Sequence, residues 1–471
     1  MKNFINIMMI LSVLMLSSCE DRLNVLDPNT LPPEIALQNI NGFEALLLSA
    51  YNRVHNFAWY GQQAMIHPEV MADNIDFANR TGRYENEYVN QVRSHMNRWA
   101  RWGGINDANV IINKVNDVEG PQTQKDRLIG QALFLRALNY HELAKVYSYE
   151  PGREVNGWNA SAPLKVTPTE GISDAIQPQV RVPNTELYNQ MVADLQQSVV
   201  LLGAQNPGNF PFRANVDAAE ALLARVLLYR GDFAGAAQAA MNVINRGRLS
   251  LLSGDNYLDS WSATVHPEAL FLAEIRAADW TSVDGVNNSL HSISMNITPS
   301  AQFIIVASPE LIAAIESEPG DIRRQLYINT SSIPPGSQMC TKWRGELGDF
   351  REHIPIIRIS EMYLIAAEGF LRSNNAAAAL PVYNQFREAR NLPPIANANG
   401  MFELIMKDRR VEYAFEGHRW FDLKRNGMNI PKTAASQQPT LSYNDFRILS
   451  FIPERELNLD DALLQNPGYN N

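Results

Sequence analysis

Residues 409–425 read Arg-Arg-Val-Glu-Tyr-Ala-Phe-Glu-Gly-His-Arg-Trp-Phe-Asp-Leu-Lys-Arg, alternating charge and aromatic bulk so densely that few folds could house them. At helical spacing Arg409 meets Glu412 at i+3 and Tyr413 at i+4, while Glu412 meets Glu416 at i+4. Gly417 is a natural helix stop, after which Arg419 to Arg425 can restart as a short helix. Glu412, Glu416, His418 and Asp422 have the composition of an acid–base site. Arg409, Arg410, Arg419, Lys424 and Arg425 share the stretch, however, and ion-pair networks perturb pKa values as active sites do. The expectation is a structural signature of Arg409, Arg410, Glu412, Glu416, Gly417, Arg419, Trp420 and Asp422, partly buried and not catalytic.

The amino end predicts a compartment. Lys2 gives a small positive start, residues 4–16 are apolar apart from Asn and Ser, and Leu16-Ser17-Ser18-Cys19 fits a lipobox. The run falls short of the ~20 apolar residues a spanning helix needs. Residues 1–18 therefore read as a lipoprotein signal peptide and Cys19 as the lipidated first residue of a chain spanning 19–471. Acyl chains there would anchor the protein at roughly 0.8 kcal/mol per buried methylene. Net charge is −10, and loss of Lys2 makes the mature chain more acidic still. That balance argues against nucleic acid as a partner. With Cys19 acylated, Cys340 has no intramolecular partner and is expected as a buried thiol. No Cys/His spacing suits zinc, no Gly-rich loop leads into Lys-Ser/Thr, and no Gly-x-Ser-x-Gly occurs.

What recurs along the chain is a helix pair. Asp217 reads as an N-cap with Glu220 three residues on, ahead of a run (221–229) apolar nearly all round. Gly231-Asp232-Phe233 breaks it before a partner helix over 236–244, a turn that resembles the tetratricopeptide repeat. A second pair spans 362–390, turning at Ser373-Asn374-Asn375. A third joins 128–147 to 186–202, and a fourth joins 43–55 to 105–115. Three long insertions, at about 56–101, 148–184 and 254–358, separate them. Insertions of that length usually carry function or form a subdomain.

Several blocks, in order, carry a resemblance: the lipobox, Gly130-Gln131-Ala132-Leu133-Phe134-Leu135-Arg136-Ala137-Leu138, Ile356 to Leu364 with Ala367-Glu368, the 409–425 stretch, Phe451-Ile452-Pro453 with Glu456, and Gln465-Asn466-Pro467-Gly468-Tyr469. Together they resemble the SusD/RagB family of surface lipoproteins, which capture nutrients for an outer-membrane transporter. The resemblance covers nearly the whole mature chain; Ser360 stands where alanine is more usual. It implies a mostly α fold of four tetratricopeptide-like helix pairs, with the irregular insertions forming a ligand-binding half. It also implies a SusC-like TonB-dependent transporter as partner, packed on the repeat face, an outer-membrane lipid anchor with cell-surface exposure, and no cofactor.

Sugar rings stack their apolar faces on aromatic planes and leave hydroxyls for polar forks. Trp59 and Tyr60, followed by Asp73, Asp76, Arg80 and Arg83, supply both kinds of group in the first insertion, and Trp280 is a distant candidate to complete a cleft. Trp99 and Trp102, at i and i+3, read as core, as does Trp343. Asp73-Asn74-Ile75-Asp76 lacks the alternation and terminal Glu of an EF-hand, so no metal is expected. Oligosaccharide capture is the leading expectation. The alternatives are a peptide ligand, a surface glycosidase using Asp73 and Asp76 as its carboxylate pair, and an assembly scaffold without a small ligand.

Overall fold

The computed structural model describes residues 36–94, 96–175, 177–203, 210–276, 288–331 and 333–469. The leader, Cys19 and Trp280 lie outside the described residues. Among those residues no helix is long and apolar enough to cross a membrane.

The body is mostly helical. Its scaffold runs α1 (Ile40–Val54), α2 (Gln63–Val70), α3 (Trp102–Lys114), α4 (Gln122–Tyr147), α5 (Asn184–Gly203), α6 (Val216–Arg230), α7 (Phe233–Arg246), α8 (Pro309–Glu316), α9 (Ile359–Arg372), α10 (Ala376–Ala389), α11 (Met401–Glu412) and α12 (Arg419–Arg425). The four expected pairs are present as α1/α3, α4/α5, α6/α7 and α9/α10. They form one continuous stack, because α3 also packs on α4, α5 on α6, and α7 on α9. Such stacking buries faces that no single hairpin could cover. Gly369 permits the close approach of α9 to α7, since a Cβ there would meet the Phe233 carbonyl oxygen at 2.5 Å.

Local chemistry sets the helix ends. Asn215, not Asp217, caps α6, accepting from the N–H groups of Asp217 and Ala218. Asp217 lies inside the first turn, where its carboxylate meets Arg246 and Arg248. Gly231 closes α6 at φ +86°, and Asp232 then caps α7 through the Gly235 N–H. This is the αL stop followed by an Asp cap that the turn sequence encodes. Asn375 caps α10 in the same way.

The insertions hold short antiparallel ladders. β1 (Ile75–Phe77) pairs with β5 (Ile305–Ala307), tying the first insertion to the third. β2 (Ala160–Pro163) pairs with β3 (Arg181–Pro183), β4 (Ala269–Ala273) with β8 (Ile354–Arg358), and β6 (Tyr327–Ile328) with β7 (Met339–Cys340). One large apolar core runs beneath scaffold and insertions alike, and it takes in Trp59, Trp99, Trp261, Trp343 and Trp420. Cys340 is buried in it, which pushes its thiol up to about 11.

Candidate functional site

The 409–425 stretch is an interior ion-pair network, wired differently from its helical spacing. α11 ends at Glu412, so Glu412 and Glu416 do not share a helix face. Arg409 donates from Nε to both oxygens of Asp422 at 2.9 Å and makes no ion pair with Glu412. Glu412 instead accepts from Arg358 at 2.8 Å and from Arg390 at 2.8 and 2.9 Å. Burial alone would raise its pKa, yet Arg390 and Arg358 hold it well below the usual carboxylate range. Glu416 accepts from Lys342 Nζ at 2.6 Å and from Arg358 at 2.9 Å. Gly417, at φ +80°, passes so near α2 that a Cβ would lie 2.2 Å from the Ala64 carbonyl oxygen. Each charged group of the stretch is paired with an opposite charge inside the protein, although the two terminal nitrogens of Arg409 make no hydrogen bond.

The residues expected to bind ligand divide. Trp59 has no exposed surface, and the Arg101 guanidinium lies over its ring at 4.4 Å. Tyr60 is buried and donates its hydroxyl to Glu142 at 2.7 Å. Asp73 is buried and paired with Arg419 at 2.8 Å and Arg410 at 3.1 Å. Asp76 is buried beneath Tyr88 and Thr433, which donate to it. These four are corrected from binding groups to interior ones. A tryptophan on a long insertion most readily fills the gap beneath it, and Asp73 is needed by two arginines. The same burial removes Asp73 and Asp76 as a hydrolytic pair. Arg80 does reach solvent, stacked 5.2 Å from the Phe77 ring centre. Arg83 is half-buried and donates to Gln302 at 2.9 Å and Gln62 at 3.0 Å.

A cleft lies along α3, where two overlapping hollows of about 400 and 700 Å³ share one floor. One wall is α3 with the 3-10 turn after it (Val115–Asp117): Trp102, Asn106 and Asn109 line the first hollow, Asn113, Lys114 and Asp117 the second. The second insertion supplies the floor from Pro163 to Thr169 and a rim from Gln177 and Gln179. The carboxyl-terminal segment closes the first hollow with Glu456, Leu459, Asp460 and Leu463.

An asparagine ladder fixes the floor. Asn106, Asn109 and Asn113 fall at i, i+3 and i+7, on one face of α3. Asn109 Nδ2 donates to the carbonyls of Lys165 and Thr167 at 3.1 and 3.0 Å, and Asn113 Nδ2 donates to that of Val166 at 3.0 Å. Asn106 Oδ1 accepts the Thr169 N–H at 2.7 Å. The Asn109 amide is itself oriented, because Arg136 of α4 donates to its Oδ1 at 2.8 Å. Asp194 of α5 grips that arginine bidentately at 2.7 and 2.8 Å. Tyr140 both donates to the Lys165 carbonyl and accepts its N–H, each at 2.7 Å. A loop pinned this way is a rigid floor on a helical scaffold, the arrangement that suits binding.

Trp99 is buried, but Trp102 is half-buried on the cleft wall, edge-on to Trp99 at 5.6 Å and to Tyr140 at 6.3 Å. Asp460 reaches across to the rim and accepts the Gln179 N–H. Burial lowers the Lys165 pKa, opposed by Asp460 and Asp174 nearby. The cleft thus offers an aromatic ring, hydroxyls and amides along a fixed trough. Sequence reading assigned Trp102 to the core and passed over Lys165, Thr167, Thr169, Gln179 and Asp460. The available signal was the Asn stripe at helical spacing, too much polarity for a face against apolar core.

Two family models match the chain: one described as the SusD family over residues 346–469, the other as starch-binding associating with outer membrane over residues 23–228. The SusD-like protein P2 of Formosa agariphila is 24% identical, with 93% of this chain and 94% of the relative covered. The SusD-like protein P25 of the same organism is 23% identical, with 96% of each covered. Among solved structures, a SusD superfamily protein from Bacteroides thetaiotaomicron superposes with a TM-score of 0.81 at 23% identity, covering 91% of this chain and all of that one. A laminarin binding SusD-like protein superposes with a TM-score of 0.72 at 23% identity, covering 92% of this chain and all of that one. With a helical body that these folds share, and sequence matches at both ends, the chain belongs to the SusD/RagB family.

Proposed function

We propose that this protein is a non-catalytic binding lipoprotein of the outer-membrane surface, anchored through Cys19, which captures an oligosaccharide and delivers it to a SusC-like TonB-dependent transporter as its lid. The observation that carries the reading is the trough along α3, where Trp102 faces a floor pinned by Asn106, Asn109 and Asn113. An indole wall beside hydroxyl and amide groups suits a pyranose, which has apolar faces and polar edges. The laminarin-binding neighbour and the starch-binding description of one family model support a glycan.

Isothermal titration of the purified protein against laminarin, amylose, xylan and a peptide panel tests the reading. Trp102→Ala should weaken binding of the responding glycan roughly tenfold, about 1.4 kcal/mol, in a variant that circular dichroism shows to be folded. Unchanged affinity would move the site away from the trough, with the solvent-facing Arg80 and the half-buried Arg83 as the next place to look. Selective binding of peptides would replace the ligand class. Release of shortened products would overturn the non-catalytic reading.

A further inference from the structure

The trough is acidic along its whole length. Asp117, Glu170 and Asp174 line one hollow and Glu456 and Asp460 the other, against Lys114 and Lys165. The carboxylates outnumber the two cations. Lys114 pairs with Glu170 at 2.5 Å, and Lys165 lies in the field of Asp460 and Asp174. No arginine lines either hollow among the described residues. The remaining rim is apolar and open: Val166, Val180 and Leu459 are 38, 62 and 73% exposed.

Length adds a second constraint. Trp102 and Asp117 both line the trough, and at 1.5 Å per residue they stand roughly 22 Å apart along the helical run. A ligand that uses both ends must be an oligomer, and a polymer with a charge on every unit would bring several charges past these carboxylates.

Resting on the reading of the trough as a glycan site, we propose that it selects uncharged glycan chains and rejects polyanionic ones such as uronans and sulfated polysaccharides. Asp117 and Glu456 are the residues that set this discrimination, one from each hollow. Rejection follows from additive repulsion. Like charges repel across solvent, and a repeating anion meets that repulsion more than once. Apolar rim groups and hydroxyls contribute equally to both ligand kinds, so the sign of the trough decides between them. The effect is electrostatic and largely solvent-exposed, so salt must weaken it, the screening length falling from about 10 Å at 0.1 M to about 3 Å at 1 M.

The test compares laminarin, amylose and xylan with polygalacturonate, alginate and a sulfated galactan, at 0.02 M and 1 M salt. The purified protein should bind at least one neutral glycan and no polyanion within tenfold of that affinity at low salt, with the gap narrowing at high salt. The double variant Asp117→Lys/Glu456→Lys should raise the ratio of polyanion to neutral-glycan affinity at least tenfold at low salt, an increase that 1 M salt removes. Circular dichroism and melting would confirm that the variant is folded; both side chains lie at the surface of the trough. Equal low-salt affinity of the unaltered protein for neutral and anionic polymers would overturn the charge selection and leave glycan capture standing. An unmoved ratio in a folded double variant would overturn the roles of Asp117 and Glu456. Failure of every glycan to bind would instead defeat the reading of the trough itself.

Discussion

Arg358 shows how single residues hold this interior together. Its guanidinium donates to Glu268 at 2.9 Å, to Glu412 at 2.8 Å and to Glu416 at 2.9 Å, fully buried. Removing one anion from such a group strands a buried cation. Glu416→Ala should therefore cost about 3–5 kcal/mol, measured by denaturant unfolding, because it unmakes contacts to both Lys342 and Arg358. A change below 1 kcal/mol would show that the network relaxes or hydrates. Glu69 behaves differently. Burial pushes it up to about 7, although Asn74 and the N–H groups of His418 and Arg419 donate to it. Its folded pKa lies above the ordinary 4.5, so its contribution is full below about pH 4.5 and is lost as pH rises through 7. Glu142 has the opposite sign. Burial would raise it, but Lys145 and Arg98 hold it down at about 2, so its contribution is full above pH 4.5 and is lost as pH falls towards 2. Glu69→Gln should flatten the decline of melting temperature between pH 4.5 and 7 and leave the acid limb intact. An unaltered decline would exclude Glu69 as its source.

At the scale of elements, the asparagine face of α3 is what turns an insertion into a floor. A helix whose side-chain amides satisfy a neighbouring loop's carbonyls removes the cost of burying those groups unpaired. Asn109→Ala breaks two such bonds and releases the Arg136 contact as well. It should cost about 1–3 kcal/mol and speed amide exchange across residues 164–169, while the helix stack stays protected. Uniform loss of protection would mean that the strap and the stack unfold as one unit. Asn466 performs the corresponding task for the tail, accepting from Trp158 and Arg181 and donating to the carbonyls of Tyr147 and Ser450. That fastening places the chain end close enough for Glu456, Leu459 and Asp460 to close the trough.

Across the whole molecule, helical stack and insertions share one core, so the insertions are not an independent body. β1 and β5 stitch the first and third insertions together, and β8 leads directly into α9. A body built on one shared core suits the lid role proposed above. Detergent extraction of native membranes should therefore co-purify this protein with a large β-barrel protein at defined stoichiometry. Recovery of the lipoprotein alone under conditions that keep barrels intact would count against the delivery role.

Helix pairs, their turn chemistry and the charged signature were legible in the sequence because each is written locally. Apolar periodicity marks the buried faces, Gly231-Asp232 encodes a stop and a cap, and dense Arg/Glu content demands pairing. Partner choice was not local. Arg409 with Asp422, Glu412 with Arg358 and Arg390, and Asp73 with Arg419 and Arg410 join positions whose distance along the chain says nothing about distance in space. Exposure was not local either. Trp59 and Trp102 are chemically identical and both flank an insertion, yet packing sealed one under Arg101 and left the other on a cleft wall. Residue type fixes what a side chain can do; only the surfaces that converge on it decide whether a ligand can reach it.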